Sequence, residues 1–503
     1  MRYITRMWNE KPLPLILFAA LFVRLFSVIF SKGYGMQDDH FLVIEASKAW
    51  VDGFYNNSWL PKEGSTIPTP SGHSFFYVGL HYFLFRFLKY ISITDPQAEM
   101  YVVRFIHALL SLIIVYCGYK ITLKKAGEQI AKVVGLLLAL FWFMPFMSVH
   151  NLVEFVCITP LIAATWIVIK NEDDKRMMPF IWAGIFLGIA FSIRFQTIMF
   201  TGGFGLALLF TKRIKETFVV AFSFLLIAGS VQGLTDLYIW GQPFVELREY
   251  IRYNFENAYE YIVLPWYMYI VLILGILIPP VSIFLFFGFL RSSKKHLLLF
   301  LPSFIFLVFH SYFPNKQERF ILPIIPFIII LGTIGWYDFV NKSNYWIAHK
   351  GLLSNFYKWF WIINILLLSV ISVAYSKRNR VEAMTYIASK KDLKALVIED
   401  SNRDNTTMLP LFYLEKWGYV FEITKLVPTS AFYTQYTNTL PNNKPNYVVF
   451  MQQENIEQRV ADLKKYFPTL TYETTIEPSF IDKVMHWLNP VNKNQTTYVY
   501  KIK

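Results

Sequence analysis

Long apolar runs alternate with short polar ones over the first 375 residues, and the pattern changes to a mixed polar sequence from Ser376 onward. The runs of near-spanning length fall at 13–31, 99–119, 130–149, 152–169, 179–193, 195–211, 216–235, 265–290, 297–312, 320–339 and 357–375. A helix needs roughly 20 apolar residues to cross the hydrocarbon core, so the shorter runs require buried ends. The pattern predicts eleven transmembrane helices. A further aromatic run, 74–90, is interrupted by His81, Arg86 and Lys89 and is expected to lie at the outer interface; a true span is the rival and would invert the topology after it. Beyond Ser376, strands are predicted at 395–398, 447–451 and 497–502 and a helix at 455–467. The expected fold class is mainly α: a polytopic helical domain over 1–375, with 32–98 as its first outer loop, and a soluble α/β domain over 376–503.

Charge orients this arrangement. Arg2, Arg6 and Lys11 precede a first run that lacks a small-residue cleavage site, so it reads as an anchor with a cytoplasmic N-terminus. Strict alternation then puts Lys120/Lys124/Lys125, Lys170/Lys175/Arg176, Lys212/Arg213/Lys215, Arg291/Lys294/Lys295 and Lys342/Lys350 on the cytoplasmic side, as the positive-inside bias requires. The other face receives 32–98, 236–264, 313–320 and the C-terminal domain. The α/β tail and the lack of a eukaryotic retention signal point to a bacterial inner membrane, with the active site and the tail in the periplasm.

Composition agrees with a membrane protein: 55% of residues are hydrophobic and only 16% charged, against roughly 25% charged in a soluble domain. The net charge of +14 sits mainly in loop clusters, which orient the chain among membrane lipids and argue against a nucleic-acid partner. Cys117 and Cys157 both lie in apolar runs, so neither a disulfide framework nor a cysteine metal site is expected. The tail has no glycine-rich phosphate loop and no catalytic pairing of His with Cys or Asp, so it is expected to present or bind an acceptor.

Three outward segments carry candidate chemistry. In 33–50, Asp38 and Asp39 open an amphipathic helix that continues through Glu45; paired acids at a membrane edge are costly and mark a functional site, while an ordinary acidic helix start is the plain alternative. In 234–261, Asp236, Trp240, Gly241 and Pro243 make a sharp exit from a span, followed by a helix expected to rest Leu247, Tyr250, Ile251 and Phe255 on lipid, with Trp240 serving chiefly as an anchor. In 313–326, Lys316, Glu318 and Arg319 crowd a tight turn at the depth of a lipid headgroup, where Arg and Lys suit phosphate; snorkelling flanks are the alternative. Arg24, Arg104 and His107 inside the runs and Arg194 between two short ones at the outer turn need partners or an anionic ligand; an acid is the simple partner for Arg24, and a structural role the simple reading of His107.

The acidic pair, GIAFSIRFQ at 188–196, TDLYIWGQP running into RYNFENA, PWYMY at 265–269 and NKQERFILPIIP at 315–326 together resemble glycosyltransferase family 22, a branch of the GT-C superfamily that holds α-mannosyltransferases of GPI-anchor and dolichol-linked oligosaccharide assembly. The resemblance covers roughly residues 14–340 and does not reach the C-terminal domain. Family members usually carry His-Pro-Asp-Glu where this chain has Met36, Gln37, Asp38 and Asp39, and His-Lys-Glu-Glu-Arg-Phe where it has Asn315 to Phe320.

The resemblance implies transfer of a hexose, by analogy mannose, from a polyprenyl-phosphate donor to a glycan or glycolipid hydroxyl on the non-cytoplasmic face. Asp38 is then the general base, partly desolvated, and Asp39 orients hydroxyls. Lys316 and Arg319, with Arg194 or Arg104, hold the leaving phosphate, and Glu45, Asp236, Trp240 and Glu318 contact substrate. A single base implies inversion. No nucleotide sugar is expected. Asp38, Asp39 and Glu45 offer oxygen ligands to a divalent cation, but the side-chain cations make none necessary. Two alternatives stay open: a GT-C transferase using another lipid-linked sugar of the aminoarabinose type, and a lipid-linked glycan flippase, although transporters favour midplane sites in repeated halves and no repeat is seen here.

Overall fold

A computed structural model describes residues 2–54, 70, 72–173, 176–260, 262–418, 420–490 and 494–503. Lys175, counted above in a basic loop, lies outside them. All eleven apolar runs are helical. Among the described residues, six helices are long and apolar enough to cross a membrane: Pro12–Phe30, Pro96–Ala126, Val153–Lys170, Ile214–Trp240, Glu318–Val340 and Lys350–Ile371. Shorter apolar helices occupy Met178–Ile193, Phe195–Phe210, Val281–Arg291 and Leu297–Tyr312. The aromatic run is a 16-residue helix, Phe75–Tyr90. Phe18, Phe22, Phe218, Phe222 and Ile365 stand exposed on span helices, an apolar surface of the kind that lipid covers.

The chain gathers into two compact units. The first comprises Met1–Val28, Ser58–Leu80 and Val102–Ser372; the second comprises Ile29–Asn57, His81–Tyr101 and Val373–Lys503. At the centre of the first is Glu318–Val340, of which 89% of the apolar window is buried. Val281–Arg291 packs on it through glycines: a methyl group on Gly288 would sit 2.0 Å from the Gly332 carbonyl oxygen, so the two backbones touch.

Two runs predicted as unbroken are interrupted. Glu128–Leu140 ends at Phe141 and helix resumes at Met144–Val149; Met268–Ile276 and Val281–Arg291 are separated by a turn at Leu277–Pro280. The last carbonyls of a helix lack partners, and in lipid they must find them within the protein. At the first break Arg24 supplies two: Nη1 donates to the Ala139 carbonyl at 3.1 Å and Nη2 to that of Leu138 at 3.3 Å, while Nε donates to Ser111 Oγ at 2.7 Å. Asn364 supplies the rest, donating to the Leu140 carbonyl at 2.8 Å and accepting from the Trp142 amide at 2.9 Å. The acid partner expected for Arg24 is thus replaced by a helix end. Arg24→Met is expected to cost about 3 kcal/mol, since several charge-assisted bonds and their buried acceptors are lost together; thermal unfolding in detergent measures it, and Arg24→Lys should recover part.

The C-terminal residues of the second unit form a five-stranded sheet of order β2-β1-β3-β5-β4, with β1 Leu396–Glu399, β2 Val420–Ile423, β3 Tyr447–Met451, β4 Thr471–Ile476 and β5 Thr497–Lys501. β1 pairs in parallel with β2 and β3, and β5 antiparallel with β3 and β4. The three predicted strands are the central ones. The helix expected at 455–467 is Ile456–Lys464.

Candidate active site

Chain direction brings two arginines onto one carboxylate in the first unit. Arg194 follows directly on Met178–Ile193 with extended backbone, and Arg319 lies in the 3-10 turn Glu318–Ile324 that opens the central helix. Arg194 Nη2 lies 2.9 Å and Arg319 Nε 3.5 Å from Oε1 of Glu154, which is fully buried in the short helix Val153–Val156. Each guanidinium is steadied by a nearby glutamine: Arg194 Nε donates to Gln196 at 3.1 Å and Arg319 Nε to Gln317 at 2.9 Å. Both flank the Phe320 ring, at 5.2 and 5.8 Å. Two rigid forks sharing one acid leave a surplus of positive charge in a sheltered place, which suits an anion with paired oxygens.

Lys316 is buried nearby in sequence. Its ammonium donates to the Phe313 carbonyl, its amide donates to Ile262 at 3.0 Å, and burial lowers its pKa. Pairing of Val263 with Asn315 ties this turn to the segment before it. Glu318, expected to contact substrate, is exposed at the start of the turn. Arg104 is turned toward the first span, where its Nε donates to the Val28 carbonyl at 2.9 Å. His107 bonds Tyr77 Oη at 2.6 Å and the Val103 carbonyl at 2.7 Å, the structural role that its position suggested.

Asp236 and Trp240, expected to contact substrate, are hydrogen-bonded within the protein. Gln232 Nε2 donates at 2.7 Å both to Asp236 and to Glu246, the Trp240 indole donates to Glu246 at 2.7 Å, and Glu246 also accepts from the Phe75 amide at 3.0 Å. Burial, reinforced by the charge of Asp236, raises Glu246 well above the usual carboxyl range. This network fastens Val245–Glu256 to the end of a span, with Gly241 at φ 73° making the corner. Tyr250, expected to rest on lipid, instead turns inward: its ring packs on Phe195 with centroids 5.5 Å apart and its hydroxyl bonds Gln196.

The acidic pair belongs to the second unit. It opens a helix at Gln37–Asp39 that continues as a π turn, His40–Glu45, into Ala46–Val51. The pair divides: Asp38 is exposed and Asp39 is buried. The desolvated setting expected for Asp38 therefore falls on Asp39. Lys377 lies under the preceding loop, donating at 3.0 Å to the Tyr34 and Gly35 carbonyls. Burial brings its pKa to about 7, aided by Arg380 and opposed by Asp482 and Asp38.

Glu45, expected to meet substrate, is instead buried, and its carboxyl accepts from the Phe412 amide at 3.2 Å, capping the 3-10 turn Leu411–Leu414. Burial raises its pKa from 4.5 to about 8. Among the described residues no three His, Cys, Asp or Glu side chains are grouped as a metal ion would need. The folded state holds the Glu45 proton up to about pH 8, whereas an unfolded glutamate releases it near 4.5. Its contribution to stability is therefore complete in acid and is lost as pH rises through that window. Glu45→Gln is expected to flatten this part of the stability profile, measured by unfolding between pH 5 and pH 9, a range spanning roughly that window.

Glu154, Gln196 and Lys377 were not singled out from sequence, Gln317 entered only as part of the Asn315–Phe320 motif, and Tyr250 was assigned to lipid. Only Glu154 carried a signal: it is an acid inside an apolar run, the same signature that drew attention to Arg24 and Arg194.

Residues 15–408 match the Alg9-like mannosyltransferase family. GPI mannosyltransferase 3 of Saccharomyces cerevisiae is 22% identical over 201 residues, covering 37% of this chain and 30% of that protein. The Candida glabrata protein of the same name is 23% identical over 202 residues, covering 37% and 31%. The matched stretch thus spans about a third of these curated relatives. ArnT from Cupriavidus metallidurans bound to undecaprenyl phosphate superposes with a TM-score of 0.61 at 13% identity, covering 97% of both chains. The oligosaccharyltransferase AglB from Archaeoglobus fulgidus, in complex with an inhibitory peptide and a dolichol-phosphate, gives 0.54 at 11% identity, covering 94% of this chain and 74% of that one. At such identities these two establish the shared GT-C helical fold. The family match runs from the first span into the C-terminal domain, and on it the chain belongs to the Alg9-like mannosyltransferase family.

Proposed function

We propose that the protein is an integral-membrane inverting glycosyltransferase that moves a hexose, mannose by family analogy, from a polyprenyl phosphate to a hydroxyl of a glycan or glycolipid on the non-cytoplasmic face. The observation that carries this reading is the pair of arginines sharing Glu154, with Arg319 three residues after Lys316. A departing lipid phosphate needs no acid, only stabilisation of its charge, and preorganised guanidinium groups provide it. The attacking hydroxyl needs a base, and Asp38 is assigned that role, its carboxylate taking the proton as oxygen bonds to the anomeric carbon. With no second carboxylate acting as nucleophile, the sugar inverts. Since cationic side chains already serve the phosphate, the reaction is drawn without a divalent ion. Fold relatives in complexes with undecaprenyl phosphate and with a dolichol-phosphate support a lipid-linked donor.

Mass spectrometry after incubation of the purified protein with polyprenyl-phosphate mannose, candidate glycan acceptors and EDTA should show an acceptor heavier by one hexose. Binding of lipid-linked sugars without transfer of any would overturn the reading in favour of a flippase.

A further inference from the structure

We propose that the basic end of the helical unit, opposite the paired arginines, binds the phosphate headgroup of an anionic membrane lipid. A cavity of about 370 Å³ opens there among Lys125, Arg213, Lys294 and Lys295, with Glu172 the one acid among the described residues of its lining. Lys125 is paired with the Glu172 carboxylate and Arg213 donates to the Glu172 carbonyl, so the acid spends its charge on fixing this wall. Lys294 and Lys295 add two further positive charges, the second shared with Asp338 at 3.8 Å. Leu297–Tyr312, a helix of 16 residues, starts at the cavity with His296 as its cap, adding the partial positive charge of a helix N-terminus. His296 buries Nδ1 with no hydrogen-bond partner among the described residues. Beneath the cations the walls are apolar, formed by Val168, Leu208 and Leu298. A charged mouth over an apolar floor fits a phosphodiester attached to its glycerol and acyl stem better than it fits a bare anion.

This site is separate from the one assigned to the donor. A helix of 16 residues rises about 24 Å, and Lys316 and Arg319 follow its far end, so one headgroup cannot serve both. The loops lining the cavity are the basic ones that the charge bias assigns to the cytoplasm, where anionic lipids are concentrated.

The test uses the full-length protein in mixed phosphatidylglycerol–phosphatidylcholine nanodiscs, with retained lipid counted by native mass spectrometry. One variant removes charge (Arg213→Gln, Lys294→Gln and Lys295→Gln together). A second, Thr211→Trp, fills the cavity and keeps every charge. Both are expected to lose phosphatidylglycerol about tenfold and to hold phosphatidylcholine as before. A parallel arm adds inorganic phosphate and reads the unfolding temperature. If phosphate stabilises the original protein but neither variant, and phosphatidylglycerol is retained equally by all three, the site is kept and its ligand is a soluble phosphate. If all three proteins retain phosphatidylglycerol and respond to phosphate alike, the site is refuted.

Discussion

Replacing Asp38 by asparagine is expected to lower turnover by about 10²–10⁴-fold while leaving donor affinity within about twofold, the result for a lost general base. Asparagine keeps the size and one acceptor oxygen of the carboxylate but cannot take the acceptor proton. The fall should therefore appear in kcat and in kcat/KM alike, because the missing interaction is one made in the transition state. Asp38 is exposed, so the substitution disturbs no packing, whereas Asp39 is buried and its replacement should register as lost stability as well. Steady-state kinetics of hexose transfer, with separate measurement of polyprenyl-phosphate binding, distinguishes the cases. Unchanged turnover in a folded Asp38→Asn protein would remove the base from this position.

Arg319→Gln is expected to lower kcat/KM by about 10²–10³-fold, the usual consequence of deleting one preorganised donor to a developing negative charge. Here donor binding should weaken too, since the phosphate is charged before as well as during departure. Arg194→Gln should behave similarly. The double variant should lose less than the product of the two, because both arginines lean on Glu154 and the first loss already frees that acid. Additive losses would show that the two arginines act independently and would count against one shared phosphate site. Kinetics across the three variants decides it.

The helical plan was legible because apolar runs of spanning length have few other uses, and the three central strands were legible because Ala395–Ile398 and Tyr447–Met451 are short apolar runs and Thr497–Ile502 is rich in β-branched and aromatic residues. β2 and β4 escaped notice because they lie at the sheet edges and are half-buried, with Glu422, Glu473 and Thr474 breaking the pattern. The break at Phe141–Phe143 was hidden for a different reason: apolar residues flank it, and what permits it is Arg24 and Asn364, 114 or more residues away in sequence. For the site, the charge of Arg194 and Arg319 could be read along the chain, but their shared acid could not. Glu154 entered only as one letter of a run assigned to lipid. The setting of Asp236, Trp240 and Glu45 was not legible because a polar residue beside a membrane reads the same whether it faces a ligand or the rest of the protein; the partners Gln232, Glu246 and Phe412 are what the structure adds.

The backbone contact of Gly288 with Gly332 has a consequence for recognition at the other end of the same helix. A seam without intervening side chains has no rotamers to shuffle, so the helix it clamps is held in one place. The turn bearing Lys316 and Arg319 leads directly into that helix. On the proposed function, its guanidinium and ammonium groups would meet the donor phosphate from a fixed mount, and the phosphate would spend little of its binding free energy on ordering the protein that receives it.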